Sequence, residues 1–516
     1  MSTEPPGQDR RAVRHPAHAG LADAAELAHR PRVAVVGGGI AGLAAATCLA
    51  ERGVAVRLLE SEPHLGGRVG GWPTTLADGS ESAMDRGFHA FFRQYYNLRA
   101  LLRRADPQLR GLVPLPDYPL VHRDGHRDTF AGLPRTPLWN ALSFVARSPT
   151  FRWRDVPRLG TRAALPLADV RVPRTYRQLD HRDAAGFLDD IRFPRAAQHL
   201  AFEVFSRSFF AAPEQLSAAE LATMFHIYFL GSSEGLLFDV AADSFPAALW
   251  DPLQRYLEGR GVRVSTGAPV ASVERDERGF RVHLPDGACE ADGVVLATDV
   301  RALQDLVAAS PELGGPPWRE QVARQRVAAP FLVSRFWLDR PVRPERHGFL
   351  GTSGYDPVDN VSVLDRYDRT AADWASRNGG SVVELHSYAL PGSPTVEALR
   401  EPTLARLREI YPETAGAGIV DERHELRQDC PLLHPGGFAD RLPVVSPDPA
   451  LTVAGDHARI DLPVALMERA ATTGMQAANA LLSRWGLEGH ALWTVPDRGR
   501  YAPLRALAGR LDGQPR

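Results

Sequence analysis

Lysine is absent from the 516-residue chain, in which all 60 basic residues are arginine. This absence excludes any mechanism that needs a lysine amine. Cysteine is scarce, and Cys48, Cys289 and Cys430 are far apart and odd in number. Their spacing offers neither a disulfide framework nor a metal site, and it favours a reducing cytoplasm.

Long apolar runs are also missing. No run reaches the roughly 18 residues of a transmembrane helix, and residues 1–31 contain charges and prolines but no apolar core of a signal peptide. We therefore expect these residues to form a flexible tail. The 60 basic and 62 acidic residues nearly cancel, which argues against nucleic-acid binding. The length allows two or three compact domains.

One stretch, RVAVVGGGIAGLAAATCLAERGVAVRLLE, has the pattern of a nucleotide-binding unit. An apolar strand over 32–37 precedes an Ala-rich helix over 39–52, and a second strand follows over 54–60. The pattern predicts a strand–helix–strand unit with a parallel pair of strands.

The first turn of this unit carries Gly37-x-Gly39-x-x-Gly42. These glycines suit a tight turn, a close approach of the backbone to a pyrophosphate, and close helix–strand packing. Glu60 ends the second strand, where a carboxylate can accept both hydroxyl protons of a ribose but would repel a 2′-phosphate. The unit therefore predicts an unphosphorylated adenosine ribose, as in FAD or NAD.

A second glycine-rich segment follows at once. Gly66 and Gly67 allow the backbone to pass close to a ligand, and Arg68 offers a fixed cation near the phosphates or a flavin.

Two later segments complete the predicted site. Gly455 and Asp456 end a strand just before a helix, where the aspartate can hold a ribityl hydroxyl. The strand around Val270 can contact adenine through backbone hydrogen bonds.

Taken together, these features resemble the amine-oxidase and carotenoid-desaturase superfamily of flavoproteins. Residues 84–104, MDRGFHAFFRQYYNLRALLRR, resemble the Glu-x-Gly-x-His-x-Phe stretch of plant-type carotene desaturases. They are more similar still to bacterial isorenieratene synthases, which are β-carotene desaturase/methyltransferases. The resemblance implies FAD as the cofactor. It also implies an α/β fold, in which a Rossmann-like FAD-binding domain is interleaved with an α+β substrate-binding domain.

The expected domain boundaries follow from this reading. The FAD-binding domain is discontinuous, and the substrate-binding and membrane-associating domain lies between its pieces. The FAD-binding pieces are 32–100, 245–300 and 421–490, the substrate-binding pieces are 101–244 and 301–420, and residues 491–516 form a C-terminal tail.

The resemblance further implies desaturation of β-carotene end rings, with an intramolecular methyl shift that gives an aromatic carotenoid. In this reaction Asp85 and His89 are the candidates for charge and proton handling. Phe91 and Phe92 would offer ring faces to a cation. The final electron acceptor stays open between a quinone, oxygen and another carrier.

Three positions depart from the family pattern. Asp85 stands where glutamate is common, His457 where tryptophan or tyrosine is common, and Arg469 where a glycine lets the backbone approach the flavin. The missing lysine disfavours an amine oxidase, because those enzymes use a lysine to hold a water near the flavin.

Two segments of the substrate-binding domain are suited to contact a hydrophobic ligand. Residues 138–155 combine aromatic rings with arginines and suit either a membrane interface or a core helix. Residues 222–240 are aromatic and nearly uncharged, which suits a tunnel wall or plain core packing. We therefore expect a cytoplasmic protein bound peripherally to the inner face of the cell membrane.

A porphyrinogen oxidase stays open as a third alternative, and two alternatives rank ahead of it. One is a carotenoid desaturase or isomerase that lacks the methyl shift. The other is a non-enzymatic lipid carrier of the same fold, which the presence of both Glu60 and Asp456 disfavours.

Overall fold

The computed structural model describes residues 7–137, 139–148, 160, 164–192, 209–499 and 501–511. Within these residues, strands are numbered β1 to β22 and helices α1 to α13 in chain order.

A five-stranded parallel sheet is assembled from distant parts of the chain, and its strand order is β11-β3-β2-β15-β21. The strands are β2 (Arg32–Val36), β3 (Ala55–Leu59), β11 (Arg263–Ser265), β15 (Gly293–Leu296) and β21 (Leu451–Val453). Parallel strands with nearly continuous burial are typical of a nucleotide-binding sheet. The α/β, Rossmann-like prediction is therefore confirmed.

Two helices pack side by side on this sheet, α1 (Ile40–Ala50) and α12 (Leu466–Arg484). Their backbones approach closely at Gly474, where an added Cβ would lie 2.2 Å from the carbonyl oxygen of Ala41. The predicted helix over 39–52 is confirmed within two residues at each end.

A seven-stranded sheet forms the second layer, in the order β20-β16-β19-β18-β17-β8-β9. Its strands are β8 (Leu120–His122), β9 (Arg127–Asp128), β16 (Phe331–Leu338), β17 (Phe349–Ser353), β18 (Asn360–Val363), β19 (Ser381–Ser387) and β20 (Ile419–Arg427). Successive side chains of β16 point to opposite faces. Trp337 packs with Trp374 of one helix, whereas Phe336 packs with Leu407 of another.

Smaller sheets and helices surround these layers. The remaining strands are β1 (Val13–His15), β4 (Gly71–Thr75), β5 (Glu81–Asp85), β6 (Phe91–Phe92), β7 (Leu112–Pro114), β10 (Phe238–Ala241), β12 (Ser272–Arg275), β13 (Phe280–Leu284), β14 (Gly287–Ala291) and β22 (Leu492–Thr494). The remaining helices are α2 (Tyr96–Leu102), α3 (Trp139–Arg147), α4 (Arg174–Leu179), α5 (Ala184–Ile191), α6 (Ala218–Phe225), α7 (Asp251–Gly259), α8 (Val300–Ala308), α9 (Pro316–Ala323), α10 (Arg369–Asn378), α11 (Val396–Ile410) and α13 (Ala502–Leu511).

The two segments expected as tails, 1–31 and 491–516, need a correction. β1 and β22 pair antiparallel, with Val13 opposite Thr494. The ring Nε2 of His15 also lies 2.8 Å from Oγ1 of Thr494. The prediction of a flexible N-terminal tail is therefore wrong at β1, and the prediction of a C-terminal tail is wrong at β22, because the two three-residue strands order each other.

One domain boundary was also misplaced. β20 begins at Ile419 and runs to Arg427 within the seven-stranded sheet. Position 421, where the last FAD-binding piece was expected to begin, therefore lies inside a strand of the other layer. The strand's sequence, IVDERHELR, carries charged residues on both faces and gave no signal of which sheet it joins.

No helix in the described ranges is long and apolar enough to cross a membrane.

Candidate active site

The glycine turn sits between β2 and α1. Gly37 has φ +106, and its N–H donates to the carbonyl oxygen of Leu59 at 2.8 Å. At Gly42, an added Cβ would lie 1.9 Å from the carbonyl oxygen of Gly37, so only glycine fits.

Gly39 is the N-cap of α1, and no side chain of the described residues caps the helix there. An added Cβ at Gly39 would meet only Gly67 Cα at 3.8 Å and the Gly66 carbonyl oxygen at 4.0 Å. The helix therefore presents its first amide groups and its positive dipole end toward open space. This arrangement fits the pyrophosphate of a dinucleotide.

Glu60 follows the last residue of β3 and is buried. Its Oε2 accepts a 2.6 Å hydrogen bond from the Gly38 N–H, and its Oε1 accepts a 2.8 Å bond from the Glu62 N–H. The backbone thus fixes the carboxylate beside the glycine turn, and its contact with a ribose stays a prediction.

The segment that contains Val270 runs beside Glu60, because the Ala268 N–H donates to the Glu60 carbonyl oxygen at 2.8 Å. Val270 itself is partly buried against the apolar cluster under this sheet. Its contact with adenine stays a prediction.

The second glycine segment folds back onto the first. The Gly66 N–H donates to the Gly38 carbonyl oxygen at 2.9 Å, and Gly66 and Gly67 have φ values of +105 and +56. Both conformations favour glycine. Arg68 follows, in a short 3₁₀ turn.

Arg68 and Asp456 join the two distant ends of the predicted site. Nη2 of Arg68 donates to Oδ1 of Asp456 at 2.5 Å across 388 residues of sequence. Gly455, with φ +151, donates its N–H to Oγ1 of Thr473 in α12. Burial disfavours the charged carboxylate, but the Arg68 guanidinium holds the pKa of Asp456 below its usual range.

His457 occupies the position where an aromatic residue was expected. It is buried, and burial lowers its pKa. Its Nε2 has no hydrogen-bond partner among the residues that the structure describes. A buried nitrogen of this kind fits a bound group that brings its own polar atoms.

Arg469, whose role was not predicted from the sequence, contacts the backbone of Asp456. Its Nη1 donates to the Asp456 carbonyl oxygen at 3.3 Å, and its Nη2 donates to Glu220 Oε2 at 2.9 Å. Glu220 also pairs with Arg441. Burial raises the pKa of Glu220, but the two arginines outweigh burial and lower it to about 2. Sequence reasoning missed Glu220 and Arg441.

His89 lies in the loop between β5 and β6. Its Nδ1 lies 2.8 Å from the Gly87 carbonyl oxygen, to which it must donate, so Nε2 carries the lone pair of the neutral ring. Burial, together with the charges of His386 and Arg68, lowers the pKa of His89 to about 4. His89 is therefore neutral near pH 7, and it can accept a proton.

Asp85 fixes the loop that carries His89. Its Oδ1 accepts 2.8 Å bonds from the Gly87 N–H and from Nη2 of Arg335. Arg335 also binds Glu384 at 2.6 Å. Burial and the nearby Glu384 charge raise the pKa of Asp85, although Arg335 opposes them. These contacts indicate a positioning role, and proton handling by Asp85 stays a prediction.

Glu384 and His386 were not predicted. Glu384 Oε1 lies 2.8 Å from His386 Nε2, and His386 Nδ1 lies 2.6 Å from the Tyr388 hydroxyl. Arg335 and Glu384 are direct partners across β16 and β19. A signal did exist, since Arg335 interrupts the apolar run FLVSRFWL, and a charge in a buried strand needs a buried partner.

Phe91 and Phe92, the two candidates to face a cation, differ in burial. Phe91 is fully buried and packs on Phe245 within the core, so its ring is not presented to a ligand. Phe92 is half-buried and contacts Tyr228 and Phe238.

Comparison with known proteins agrees with this geometry. Residues 40–482 match the family described as "Flavin containing amine oxidoreductase". The chain belongs to this family of flavoproteins, and its cofactor is FAD.

The chain is 61% identical to "Carotenoid phi-ring synthase" of Streptomyces griseus over 98% of both chains. It is 28% identical to "Carotenoid phi-ring synthase" of Chlorobaculum tepidum, over 93% of this chain and 92% of that protein. A solved oxidoreductase from Methanosarcina mazei shares the fold, with a TM-score of 0.63 and 15% identity over 86% of this chain and 99% of its own.

Proposed function

We propose that this protein is an FAD-dependent carotenoid oxidoreductase that converts β-carotene end rings to aromatic rings with an intramolecular methyl shift. The observation that carries the proposal is the 61% identity, over 98% of the chain, to "Carotenoid phi-ring synthase" of Streptomyces griseus. Residues 84–104 and the separated FAD motifs resemble those of carotene desaturases and support the same proposal.

A path of aromatic rings supports an extended polyene substrate. Phe88 lies beside His89, and ring centroids are 6.0 Å apart from Phe88 to Phe238 and 4.6 Å from Phe238 to Tyr118. From Tyr118 the path continues to Phe130 at 4.8 Å and then to Phe144 of α3 at 5.0 Å. Phe88 and Tyr118 are only half-buried, so a ligand can reach them.

The ring chemistry sets what the site must do. A quaternary carbon with two methyl groups blocks aromatisation, so one methyl group must move to the adjacent cationic carbon. Two hydrides and two protons leave each ring in total. FAD, when bound beside Arg68 and Asp456, supplies the hydride acceptor.

The protein handles the cation and the protons. His89, neutral because its pKa is about 4, offers Nε2 as a proton acceptor. The half-buried rings of Phe88 and Phe92 are available to face an allylic cation. Asp85 and Arg335 hold the loop in place.

Access from a membrane is part of the proposal. On α3, Trp139 is 60% exposed and Leu142 is 48% exposed, whereas Phe144 on the same helix is buried. Arg147 follows in the last turn. An apolar face flanked by arginine suits a membrane interface, and we place the protein at the cytoplasmic face. Residues 138 and 149–155 of the predicted membrane segment 138–155 lie outside the described residues.

The test is pigment analysis in β-carotene-producing cells that express the chain. We expect a carotenoid whose aromatic ring keeps all three methyl groups of the original ring. A dehydrogenated product with both methyl groups still on one carbon would instead support a desaturase. Unchanged β-carotene with a colourless purified protein would support the lipid carrier.

A further inference from the structure

One wide helical turn, Pro246–Trp250, precedes α7 and differs from an α-helix. The Asp251 N–H donates to the Pro246 carbonyl oxygen five residues back, whereas an α-helix bonds four residues back. Side chains five apart in an α-helix are rotated by about 500° and point to different sides, but a bond across five residues brings them to the same side. Phe245 and Trp250 stand five residues apart. The wide turn therefore lets these two side chains contact neighbouring parts of the structure.

Trp250 holds the second glycine segment, which was predicted to bind FAD. The side chain is buried, and its Nε1 donates to the Val69 carbonyl oxygen at 2.6 Å. An added Cβ at Gly66 would collide with the same nitrogen. The Val69 N–H in turn donates to the Gly66 carbonyl oxygen at 3.0 Å. Arg68 lies between these two anchored residues, so Trp250 limits where the Arg68 side chain can stand.

Phe245 contacts the loop that carries His89. The centroids of the two rings are 5.6 Å apart, and the rings meet edge to face at 80°. Phe245 and Trp250 belong to the same buried apolar cluster. Because buried side chains are closely packed, a shift at one end of the wide turn is transmitted to the other end.

The second glycine segment and the His89 loop also contact each other. Gly71 pairs with Asp85 between β4 and β5, and the Arg86 N–H donates to the Gly70 carbonyl oxygen at 3.0 Å. The wide turn therefore contacts two segments that lie side by side.

We propose that the wide turn sets the spacing between the second glycine segment and His89, with Trp250 and Phe245 as its two positioning residues. The role of Trp250 rests on FAD binding by the second glycine segment. The role of Phe245 rests on the proposed proton transfer to His89. A fixed spacing matters because a displacement of about 1 Å between reacting groups can cost about 10²-fold in rate.

The first experiment measures FAD affinity, from the flavin fluorescence that is released when the FAD-loaded protein is diluted. Trp250→Phe keeps a buried aromatic ring but removes the N–H that binds the Val69 carbonyl oxygen, and it should weaken FAD binding by about tenfold.

The matched control is Trp318→Phe. Trp318 is also buried, and its Nε1 has no hydrogen-bond partner within the described ranges. This variant should keep the FAD affinity within about twofold of wild type. A wild-type FAD affinity for Trp250→Phe, or equal losses in the two variants, would overturn the role of Trp250.

The second experiment measures carotenoid conversion at saturating FAD. Phe245→Leu should lower kcat by about tenfold, with KM and FAD affinity within about twofold, because His89 loses the ring that orients it. The control is Phe336→Leu, since Phe336 meets His424 edge to face at 5.7 Å on the face of β16 opposite to Arg335. Its kcat should stay within about twofold of wild type. A wild-type kcat for Phe245→Leu, or the same loss in both variants, would overturn the role of Phe245.

The double variant Trp250→Phe/Phe245→Leu tests whether one element serves both residues. At saturating FAD, Trp250→Phe should lower kcat by about threefold, and the double variant should lose less than the product of the two single losses. Losses that multiply would mean two independent contacts and would overturn the shared element. If wild type forms no aromatic carotenoid, the proposed reaction fails, whereas the FAD affinities still decide the role of Trp250.

Discussion

At the scale of single residues, two glycines of the glycine turn, Gly42 and Gly39, differ in the space that surrounds them. An added Cβ at Gly42 would lie 1.9 Å from a carbonyl oxygen, whereas the same atom at Gly39 would meet nothing closer than 3.8 Å. Gly42 is therefore required by the fold, whereas the fold does not require Gly39, and we propose that the ligand does.

The pair Gly42→Ala and Gly39→Ala tests this division. Gly42→Ala should lower the free energy of unfolding by about 3 kcal/mol or more because the methyl group has no space. Gly39→Ala keeps an extended backbone, with φ −76 and ψ −177. It should fold but hold FAD at least about tenfold more weakly, since its methyl group occupies the approach of the pyrophosphate. Thermal unfolding and bound flavin absorbance measure the two effects. A stable, FAD-replete Gly39→Ala variant would contradict this account.

His89 is the proposed proton acceptor. His89→Gln should lower the rate of product formation about 10²-fold or more while FAD stays bound. Because its pKa is about 4, the wild-type rate should show no His89 transition between pH 6 and 8, and it should fall as the pH drops through about 4. The exposed His126→Gln is the control. A His89→Gln variant that retains the wild-type rate would assign proton handling elsewhere.

Glu220 is a buried carboxylate whose lowered pKa makes the free energy of unfolding depend on pH. Its folded pKa of about 2 lies below its ordinary 4.5, so its contribution is complete above pH 4.5 and is lost as the pH falls through 2. That contribution is about 3 kcal/mol. In urea unfolding, the difference in free energy of unfolding between wild type and Glu220→Gln should become smaller as the pH is lowered from 5 to 3. The control is Glu312→Gln, at an exposed position, whose difference in free energy of unfolding from wild type should not change with pH. A difference for Glu220→Gln that stays constant with pH would contradict the lowered pKa of Glu220.

At the scale of elements, local patterns were predictable and remote pairings were not. The strand–helix–strand unit over 32–60 was predicted because its periodicity and glycines lie within one stretch. β1 and β22 were missed because each is three residues long and gains order only from the other. The site residues show the same difference. Glu60 and Asp456 were predicted from motifs. Arg335 in a buried strand signals that a buried partner exists, but only the register of β16 and β19 identifies that partner as Glu384.

Helix α3 carries the element-scale prediction. Trp139→Gln/Leu142→Gln removes its exposed apolar residues and should weaken vesicle binding by at least about tenfold, because apolar surface no longer leaves water. Leu21→Gln alters a residue that is 40% exposed outside this helix and serves as the matched control. Vesicle flotation measures both. Equal binding by both variants would mean that α3 does not contact the membrane.

At the scale of the whole molecule, the parallel sheet brings together pieces that are hundreds of residues apart. β21, from near the C-terminal end, pairs with β15, which pairs with β2 near the other end. The Arg68–Asp456 ion pair forms between these pieces. The seven-stranded sheet adds Arg335, Glu384 and His386 beside the His89 loop. The sequence indicated the first assembly through its motifs but did not indicate the second, since no motif marks the strands of this mixed sheet.

The most direct test of the account is to mix the purified, FAD-loaded protein with β-carotene in detergent without oxygen and to record the flavin absorbance. The account predicts loss of the oxidised flavin band together with formation of a dehydrogenated carotenoid. Flavin that stays oxidised while the carotenoid binds would contradict hydride transfer at this site.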